Sequence, residues 1–438
     1  MVHGSRRGTI AQTVYGGGSA TAWGGAPATK KRDAAKHGCN AAATAFTHHR
    51  AMPTPPAPPA DPPPPASSAP ATGGGWRRLR GGWMVAAACV AGCAAAAPED
   101  DIRRLVASPQ YSAADGRFRN LPNPDARASR NAALIWTRFL FGTKQDTVPV
   151  DPIPVQALAR AQLDALPAGA NHVVRLGHSS HLLKLQGRYW LIDPVFGERV
   201  SPFSFAGPRR FHPSPLALEA LPPIEGLVLS HDHYDHLDRP TIEHLRNSVQ
   251  RYFVPLGVAA RLVQMGVARE RITEFDWWQA AEHAGVRLTA APAQHFSGRS
   301  LTDRDTTLWA SWVLEAGGQR IFFSGDSGYF PGFREIGQRL GPMDLALMEN
   351  GAYNADDWPS VHMTPEQSVQ AFEDVRGKVL YGVHNSTFDL AFHPWREPME
   401  RLAALAGQRG VELATPVIGE VLTVGQPREN RRWWEGLR

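Results

Sequence analysis

Short apolar runs alternate with amphipathic stretches along the chain from residue 171 onward. The runs have the length and composition of buried strands, and the amphipathic stretches have the spacing of helices. We predict strands at 173–176, 182–186, 188–192, 226–229, 252–254, 287–291, 309–314, 320–324, 345–348 and 379–383. We predict helices at 132–141, 241–245, 258–265, 333–340, 365–372 and 397–407. This alternation predicts an α/β fold in which helices lie outside packed sheets.

Composition divides the 438 residues into four parts: 1–75, 76–97, 98–170 and 171–438. Residues 1–75 are rich in Ala, Gly, Thr and Pro and cannot bury enough apolar surface to fold. We interpret them as a disordered leader or as an upstream extension that the mature protein does not carry. Residues 98–170 are a mixed segment that leads into the main domain and includes a proline-punctuated linker at 149–154. Residues 171–438 are the predicted main domain.

Residues 76–97 have the features of an export signal. Three arginines, Arg77, Arg78 and Arg80, precede an apolar run that is too short to span a bilayer. The run contains Val-Ala-Gly-Cys ending at Cys93, which resembles a bacterial lipoprotein box whose cysteine is acylated after cleavage. This interpretation places the protein in the bacterial cell envelope, anchored by lipid or facing the periplasm, and places the start of translation between Trp76 and Met84. A buried or disordered Ala-rich segment is the alternative, and it would leave the protein in the cytoplasm.

Charge argues against a nucleic-acid-binding face, and the cysteine positions argue against disulfides and thiolate metal ligands in the main domain. The formal net charge is +5 and the pI is about 9.2, but the arginines are scattered, which favours a solvated surface over a nucleic-acid partner. The three cysteines are at positions 39, 89 and 93, so the main domain has no disulfide and no thiolate ligand. Any metal site in it must use histidine and carboxylate groups.

The most concentrated chemistry lies in residues 230–238, which contain three histidines and three aspartates. They follow a predicted strand and precede a predicted helix, so they form a loop at the end of a buried strand. His231 and His233 point to the same side of an extended backbone, because side chains alternate with period two. Asp235 and His236 follow where the chain turns and can face a second ion. Imidazole and carboxylate suit zinc and other transition metals, so HxHxDH predicts a two-metal ligand set.

Three later residues also stand just past apolar strands: His295, Asp326 and His384. Taken alone, a histidine at a strand end is usually a surface residue, and the aspartate of Ser-Gly-Asp-Ser-Gly is often a turn former. The pattern occurs four times in this chain, counting the loop at 230–238. Four strand ends can converge at one rim of a sheet sandwich, and we predict that they do.

These motifs resemble the metallo-β-lactamase fold superfamily, and most closely its N-acyl-phosphatidylethanolamine-hydrolysing phospholipase D branch. The similarity extends from Gly177 to about Leu405. Besides the metal-ligand pattern, the matching segments are 177–180, 192–196, 207–211, 221–224, 253–257, 276–278, 308–312, 325–329 and 351–353.

The resemblance implies a four-layer αββα sandwich with two Zn²⁺ ions at one edge, or two other divalent ions. It implies that a bridging water has a lowered pKa and supplies hydroxide, and that the ions stabilise charge on a phosphoryl oxygen. By position, the implied ligands are His231, His233 and His295 for the first ion, Asp235, His236 and His384 for the second, and Asp326 as a bridge.

The resemblance also implies roles for four neighbours of the metals. His362 would contact the substrate, either positioning it or donating a proton to the leaving oxygen, so His362 and Asp326 are the predicted catalytic residues. A helix-start residue before Thr364 is the alternative for His362. His178, Asp193 and Tyr353 are predicted to support a ligand or to contact the substrate, and core packing is the alternative for His178.

One departure bears on the substrate. Glu349 stands just before the Gly-Ala-Tyr motif, where the animal lipases are apolar. We expect its carboxylate near the mouth of the active site, which argues against a strictly lipid substrate.

Three functions are consistent with the sequence. The first is a phospholipase D-type phosphodiesterase that acts on N-acyl phosphatidylethanolamine-like lipids or other phosphodiesters and gives a phosphatidic acid and a fatty-acid amide alcohol. The second is a lactonase like those of the sugar-phosphate lactonase branch. The third is a metal-binding envelope lipoprotein without enzymatic activity. A groove lined by apolar residues would favour the first over the second. The sequence does not determine the oligomeric state.

Overall fold

The computed structural model describes residues 99–438, so the predicted leader, the signal segment and Cys93 lie outside the described residues. The helices are α1 (Glu99–Ala107), α2 (Ala132–Phe141), α3 (Arg160–Asp164), α4 (Arg239–Leu245), α5 (Val258–Gln264), α6 (Gly332–Leu340), α7 (Pro365–Asp374) and α8 (Glu397–Arg409). The strands are β1 (Tyr111–Ser112), β2 (Arg117–Phe118), β3 (His172–Gly177), β4 (Ser180–Leu185), β5 (Arg188–Ile192), β6 (Ile224–Val228), β7 (Arg251–Pro255), β8 (Ile272–Phe275), β9 (Ala280–His283), β10 (Val286–Ala291), β11 (Ser311–Ala316), β12 (Gln319–Phe323), β13 (Leu345–Glu349), β14 (Leu380–Val383), β15 (Leu413–Ala414) and β16 (Val421–Thr423).

Two seven-stranded sheets form the centre of the domain in the described part of the chain. Their strand orders are β16-β3-β4-β5-β6-β7-β8 and β15-β14-β13-β12-β11-β10-β9. Tight hairpins make one half of each sheet antiparallel, whereas the strands joined through helices, β5 to β8 and β12 to β15, run parallel. A parallel pair needs a long crossover, and here α4 to α8 supply most of these crossovers.

Alternate residues of a strand face different hydrophobic layers. Trp190 and Ile192 of β5 face the core between the sheets, and Leu191 faces the core beneath α4 and α5. In the other sheet, Phe323 faces the core between the sheets and Phe322 packs under α6 and α7. The central strands are therefore buried on both faces and appear in the sequence as continuous apolar runs. The predicted four-layer αββα fold is confirmed.

The edge strands β8, β9, β15 and β16 are missing from the strands predicted by sequence. They have two to four residues, which is too short to display a hydrophobic period. β11 begins at Ser311, two residues later than predicted. The reason is that Ala310 belongs to a link between the sheets, where its N–H donates to the carbonyl of Ser230 at 2.9 Å.

Residues 99–170 pack on the two sheets. Phe118 is buried in the core between the sheets, and Leu163 is buried under the first sheet. The guanidinium of Arg130 pairs with Asp357, and the N–H of Val150 donates to the carbonyl of Arg438 at 2.6 Å. These contacts make the segment part of the folded domain. Within residues 99–438, no helix has the length and apolar composition needed to cross a bilayer.

Trp312 of β11 connects the sheets next to the loop at 230–238. Its side chain is fully buried, and the indole N–H donates to the carbonyl of Leu229 at 2.9 Å. Trp312→Ala should lower the free energy of unfolding in urea by about 3–5 kcal/mol, because the cavity left by a large aromatic cannot collapse completely. Trp312→Phe refills most of that volume and should lose clearly less. Equal losses of unfolding free energy for the two variants would show that the side-chain volume at position 312 does not determine the stability.

Candidate metal centre

The loop at 230–238 is held by backbone hydrogen bonds at its turn. The N–H groups of His236 and Leu237 donate to the carbonyl of His233 at 3.1 and 2.8 Å. The turn separates the two halves of the motif, so His231 and His233 face one side and the later pair faces another. His231 and His236 are almost completely buried.

Three histidines from two strand ends form the first ligand group. Nε2 of His231 lies 2.9 Å from Nδ1 of His233, and Nε2 of His295 lies 3.3 Å from that same Nδ1. His295 follows β10 of the second sheet, so the group joins both sheets. One ion can be reached by all three nitrogens.

The second ligand group contains Asp235, His236 and His384. Oδ2 of Asp235 lies 3.2 Å from Nε2 of His384 and 3.4 Å from Nε2 of His236. Oδ2 of Asp326 lies 2.9 Å from Nε2 of His384 and 3.2 Å from Nε2 of His236. The same oxygen is 3.9 Å from Nε2 of His231 in the first group. Asp326 therefore stands between the two groups.

The donor atoms fit divalent cations. Nε2 of His236 and Oδ1 of Asp326 are buried without a hydrogen-bond partner in the described chain. Burial, and then neighbouring histidines, lowers the pKa of His231 well below its usual value, so its imidazole is neutral, as coordination requires. Burial raises the pKa of Asp326, but His236 and His384 outweigh it and the net pKa is well below the usual range. A carboxylate among imidazoles is an arrangement that can bind a metal ion.

Two groups behind the ligands fix their orientation. The carboxylate of Asp193 accepts hydrogen bonds from Nδ1 of His236 at 2.7 Å and from the N–H of Ser230 at 2.7 Å. The carbonyl of Val361 lies 2.8 Å from Nδ1 of His295. A partner on Nδ1 leaves Nε2 to face an ion and raises the basicity of the ligand.

His178 contacts a ligand from behind. Its Nε2 lies 2.9 Å from Oδ2 of Asp235. Burial, and then the positive charge of His384, lowers the pKa of His178 to about 3, so the neutral ring donates to the carboxylate. His178 and His384 both have left-handed backbone conformations, with φ of 53° and 63°, and the N–H of His384 donates to the carbonyl of His178 at 3.3 Å. The two strained residues stabilise each other's position.

His362 lies beside the metal-ligand groups and Tyr353 does not. The ring of His362 is 5.1 Å from that of His295 and 5.3 Å from that of His384. The hydroxyl of Tyr353 donates to Oε1 of Glu397 at 2.8 Å, and its ring stacks on His393. The structure therefore brings His362 to the ligand groups and places the hydroxyl of Tyr353 against the start of α8.

The expectation that Glu349 lies at the mouth of the site was wrong. Its side chain is fully buried at the end of β13, and it bonds to Nδ1 of His362 and to the N–H of Ser327. Burial, and then the charge of Asp326, raises the pKa of Glu349 well above its usual value. This pairing was missed because Glu349 and His362 are separated by a loop, and no local spacing connects them. Because the carboxylate of Glu349 is not exposed at the mouth, it gives no reason to exclude a lipid substrate.

A cavity of about 510 Å³ opens onto the ligand groups. His233, Asp235, Asp326, His362 and His384 lie on its polar side. The remaining lining includes Arg130, Ile135, Phe139, Val200, Phe296, Arg304, Trp358 and Leu390. Most of that wall is apolar, and part of it comes from α2, in the segment before the main domain that sequence reasoning left without a role.

The family model described as the beta-lactamase superfamily domain matches residues 188–385. An uncharacterised protein of Mycobacterium tuberculosis (strain ATCC 25618 / H37Rv) is 42% identical over 333 residues, which cover 75% of this chain and 87% of that protein. N-acyl-phosphatidylethanolamine-hydrolyzing phospholipase D 1 of Caenorhabditis elegans is 35% identical over 247 residues, which cover 53% of this chain and 69% of that protein. The chain belongs to the metallo-β-lactamase superfamily. It is a metallo-hydrolase of that superfamily, with histidine and aspartate groups that can bind metal.

Two further similarities are more limited. The solved structure of Igni18, a metallo hydrolase from Ignicoccus hospitalis KIN4/I, has a TM-score of 0.45 at 20% identity and covers 59% of this chain and 100% of that one. Outer membrane protein RomA of Klebsiella pneumoniae is 50% identical over 93 residues, which are 21% of this chain and 69% of that protein.

The hydrogen bond between Asp193 and His236 can be tested for its effect on metal binding. Asp193→Ala should weaken metal binding about 10–100-fold, because His236 loses the group that orients it. The measurement is competition with a chelator, read as metal retained per chain. Asp276→Ala removes another buried carboxylate, one that accepts the N–H of Trp277, and should leave metal retention unchanged. Equal retention in the two variants would contradict the role assigned to Asp193.

Proposed function

We propose that the protein is a binuclear zinc hydrolase of phospholipase D type that acts on N-acyl phosphatidylethanolamine-like lipids. The observation that carries this proposal is the apolar cavity that opens directly onto the two metal-ligand groups. The similarity to the C. elegans phospholipase supports a lipid phosphodiester as the substrate class. A sugar-phosphate lactone has few apolar groups to fill such a cavity, so the cavity favours the lipid over the lactonase alternative.

The proposed first ion is held by His231, His233 and His295, the second by Asp235, His236 and His384, and Asp326 contributes to both. Imidazole and carboxylate ligands without thiolate suit zinc in a catalytic site. When bound, the ions would supply a nucleophile from water at neutral pH and Lewis-acid stabilisation of phosphoryl charge.

The chain's own residues would bind the lipid around that centre. Ile135, Phe139 and Trp358 offer apolar surface to acyl chains. The guanidinium groups of Arg130 and Arg304 line the same cavity and can pair with phosphate oxygens. His362 faces the cavity beside the ligands and would donate a proton to the leaving oxygen of the ethanolamide.

Exposed apolar side chains on elements that line the cavity favour a substrate that stays in a membrane. α2 lines the cavity with Ile135 and Phe139 and exposes Leu134 and Phe141 to solvent. The loop between Val200 and Pro208 lines the cavity at both ends and exposes Phe203 and Phe205. Exposed large apolar side chains on elements that line a cavity are a feature of surfaces that meet lipid.

The test compares substrates and metal content in the purified full chain. We expect two zinc ions per chain and faster turnover of an N-acyl phosphatidylethanolamine in vesicles than of a γ-lactone, with a phosphodiester such as bis(p-nitrophenyl) phosphate also cleaved. Asp326→Ala should abolish all hydrolysis with the fold retained, because it removes the group shared by both metals. Asp344→Ala removes an aspartate that pairs with Lys378 on the surface and should behave like the parent. Parental turnover by Asp326→Ala, or a preference for the lactone, would reject the proposal.

We further propose that the protein is a lipid-anchored envelope protein, with Cys93 as the acylated residue. The support is the arginine-led apolar run before Cys93 and, over a limited stretch, the similarity to RomA. A single acyl chain gives only marginal binding, so stable anchoring needs more than one.

Expression from Trp76 in a bacterial host should give a mature chain that begins at Cys93 and carries added acyl mass, measured by mass spectrometry of the N-terminal peptide. Cys93→Ser should abolish that mass. A cytosolic, unmodified chain that retains residues before Cys93 would disprove the anchor and leave the metal centre unaffected.

A further inference from the structure

We propose that Glu349 is a positioning residue that holds the imidazole of His362 for proton transfer to the leaving group. The inference rests on the proposed function, because it assumes that His362 acts on the substrate. Glu349 lies outside the metal-ligand pattern of the sequence, and the structure alone brings it to His362.

The carboxyl group of Glu349 is fixed on both of its oxygens. Oε2 accepts the backbone N–H of Ser327 at 2.8 Å, and Oε1 bonds to Nδ1 of His362. The backbone on either side is also held, because the N–H of Glu349 donates to Oγ of Ser324 and its carbonyl accepts from Oγ of Ser368. With the side chain fully buried at the end of β13, Oε1 has one position available to it.

The backbone of His362 is fixed by its neighbours. The carbonyl of Val361 bonds to the ring of the ligand His295 at 2.8 Å. On the other side, Thr364 and Gln367 form a capping box that starts α7. His362 can therefore rotate only its side chain, and the bond from Nδ1 to Glu349 removes that freedom.

This arrangement leaves Nε2 as the ring nitrogen that can serve the substrate. His362 lines the cavity, 14% of its side chain is exposed, and its ring lies about 5 Å from the rings of His295 and His384. A leaving oxygen displaced beside the metals would lie on that side. A histidine held at Nδ1 by a carboxyl group is the arrangement that orients general acids and bases in hydrolases.

The proton balance explains why a carboxyl group is suited to this position. When Nε2 gives its proton to the leaving oxygen, the neutral ring that remains must carry a proton on Nδ1. The hydrogen bond between Oε1 and Nδ1 holds one proton that either atom can carry, so it can reside on Nδ1 at that moment. With the shared proton on Oε1 at the start, the step breaks the Nε2–H and Oε1–H bonds and forms an O–H bond on the leaving group and an Nδ1–H bond, so Glu349 ends as the carboxylate and His362 as the neutral ring.

A metal-ligand role for Glu349 is the competing interpretation. Asp326, Glu349, His362 and His384 have potential ligand atoms within 4.8 Å of one another. Both oxygens of Glu349 are already used in hydrogen bonds, one to Ser327 and one to His362. A metal-ligand role would require one of these oxygens to be shared with an ion, whereas the positioning role uses both contacts as they stand.

Glu349→Gln is the decisive variant, because it preserves size and removes the exchangeable proton. Ser327 selects the amide oxygen for the Oε2 position, so the NH₂ group faces Nδ1 of His362 and donates a proton that it cannot release. We expect kcat for an N-acyl phosphatidylethanolamine, which has a poor alkoxide leaving group, to fall about 10–100-fold with KM unchanged. For bis(p-nitrophenyl) phosphate, whose leaving group needs no proton, kcat should change less than about threefold.

His362→Ala should show the same dependence on the leaving group with a larger loss, about 10²–10⁴-fold for the lipid. In the double variant, Glu349→Gln should add no further loss, because it acts through His362. Glu274→Gln changes a carboxyl group that is buried beneath α5 away from the cavity and controls for loss of a buried charge. Its kinetics should match the parent.

Each other result rejects the positioning role. Loss of one of the two metal ions from Glu349→Gln would make Glu349 a ligand. Equal losses for both substrates, or losses that multiply with those of His362→Ala, would make it a structural residue. Parental kcat for the lipid would show that the contact is dispensable. If the parent has no hydrolytic activity on any phosphodiester, the proposed function fails, and that outcome is distinct from all of these.

Discussion

The structure depends on placing seven histidine and aspartate side chains, the candidate metal ligands, together at one edge of a sandwich. Ionisable groups in such a place are costly unless each charge has a partner. Part of the compensation is built into the chain: the carboxylate of Asp193 faces His236, the carbonyl of Val361 faces His295, and His178 faces Asp235. Nε2 of His236 and Oδ1 of Asp326 have no hydrogen-bond partner within the described chain, and a cation can bind there. Metal binding and the packing of this edge are therefore linked.

The two sheets meet this constraint by placing every ligand at the end of a rigid strand. β6 and β10 deliver histidines from different sheets, and β12 and β14 deliver Asp326 and His384. These strands are buried on both faces, which holds their ends in the packed core. Direct links between the sheets add to this, since Trp312 and Ala310 of the second sheet bond to Leu229 and Ser230 of the first. These hydrogen bonds hold the start of the loop at 230–238, where it leaves β6.

Much of the cavity wall comes from segments outside the two sheets. α2 lies outside the 188–385 match to the superfamily domain, and yet it closes one wall of the cavity and carries part of its rim. The loop from Val200 to Pro208 forms another wall. A rigid centre with variable walls lets one fold act on different substrates, so the proposed lipid preference rests on the walls and the proposed hydrolysis on the centre.

The sequence by itself determined the fold class and the candidate metal ligands. Buried strands appear as apolar runs because both faces are covered, and HxHxDH can be recognised because its ligands are close neighbours on one loop. Tertiary structure decided what depended on contacts between distant segments. Glu349 was expected at the mouth and is found beneath His362, Tyr353 is directed to α8, and residues 99–170 join the domain and shape its cavity. The reason is that strand and loop patterns are local properties of the chain. Which buried carboxyl group meets which imidazole is fixed only when the sheets and helices pack.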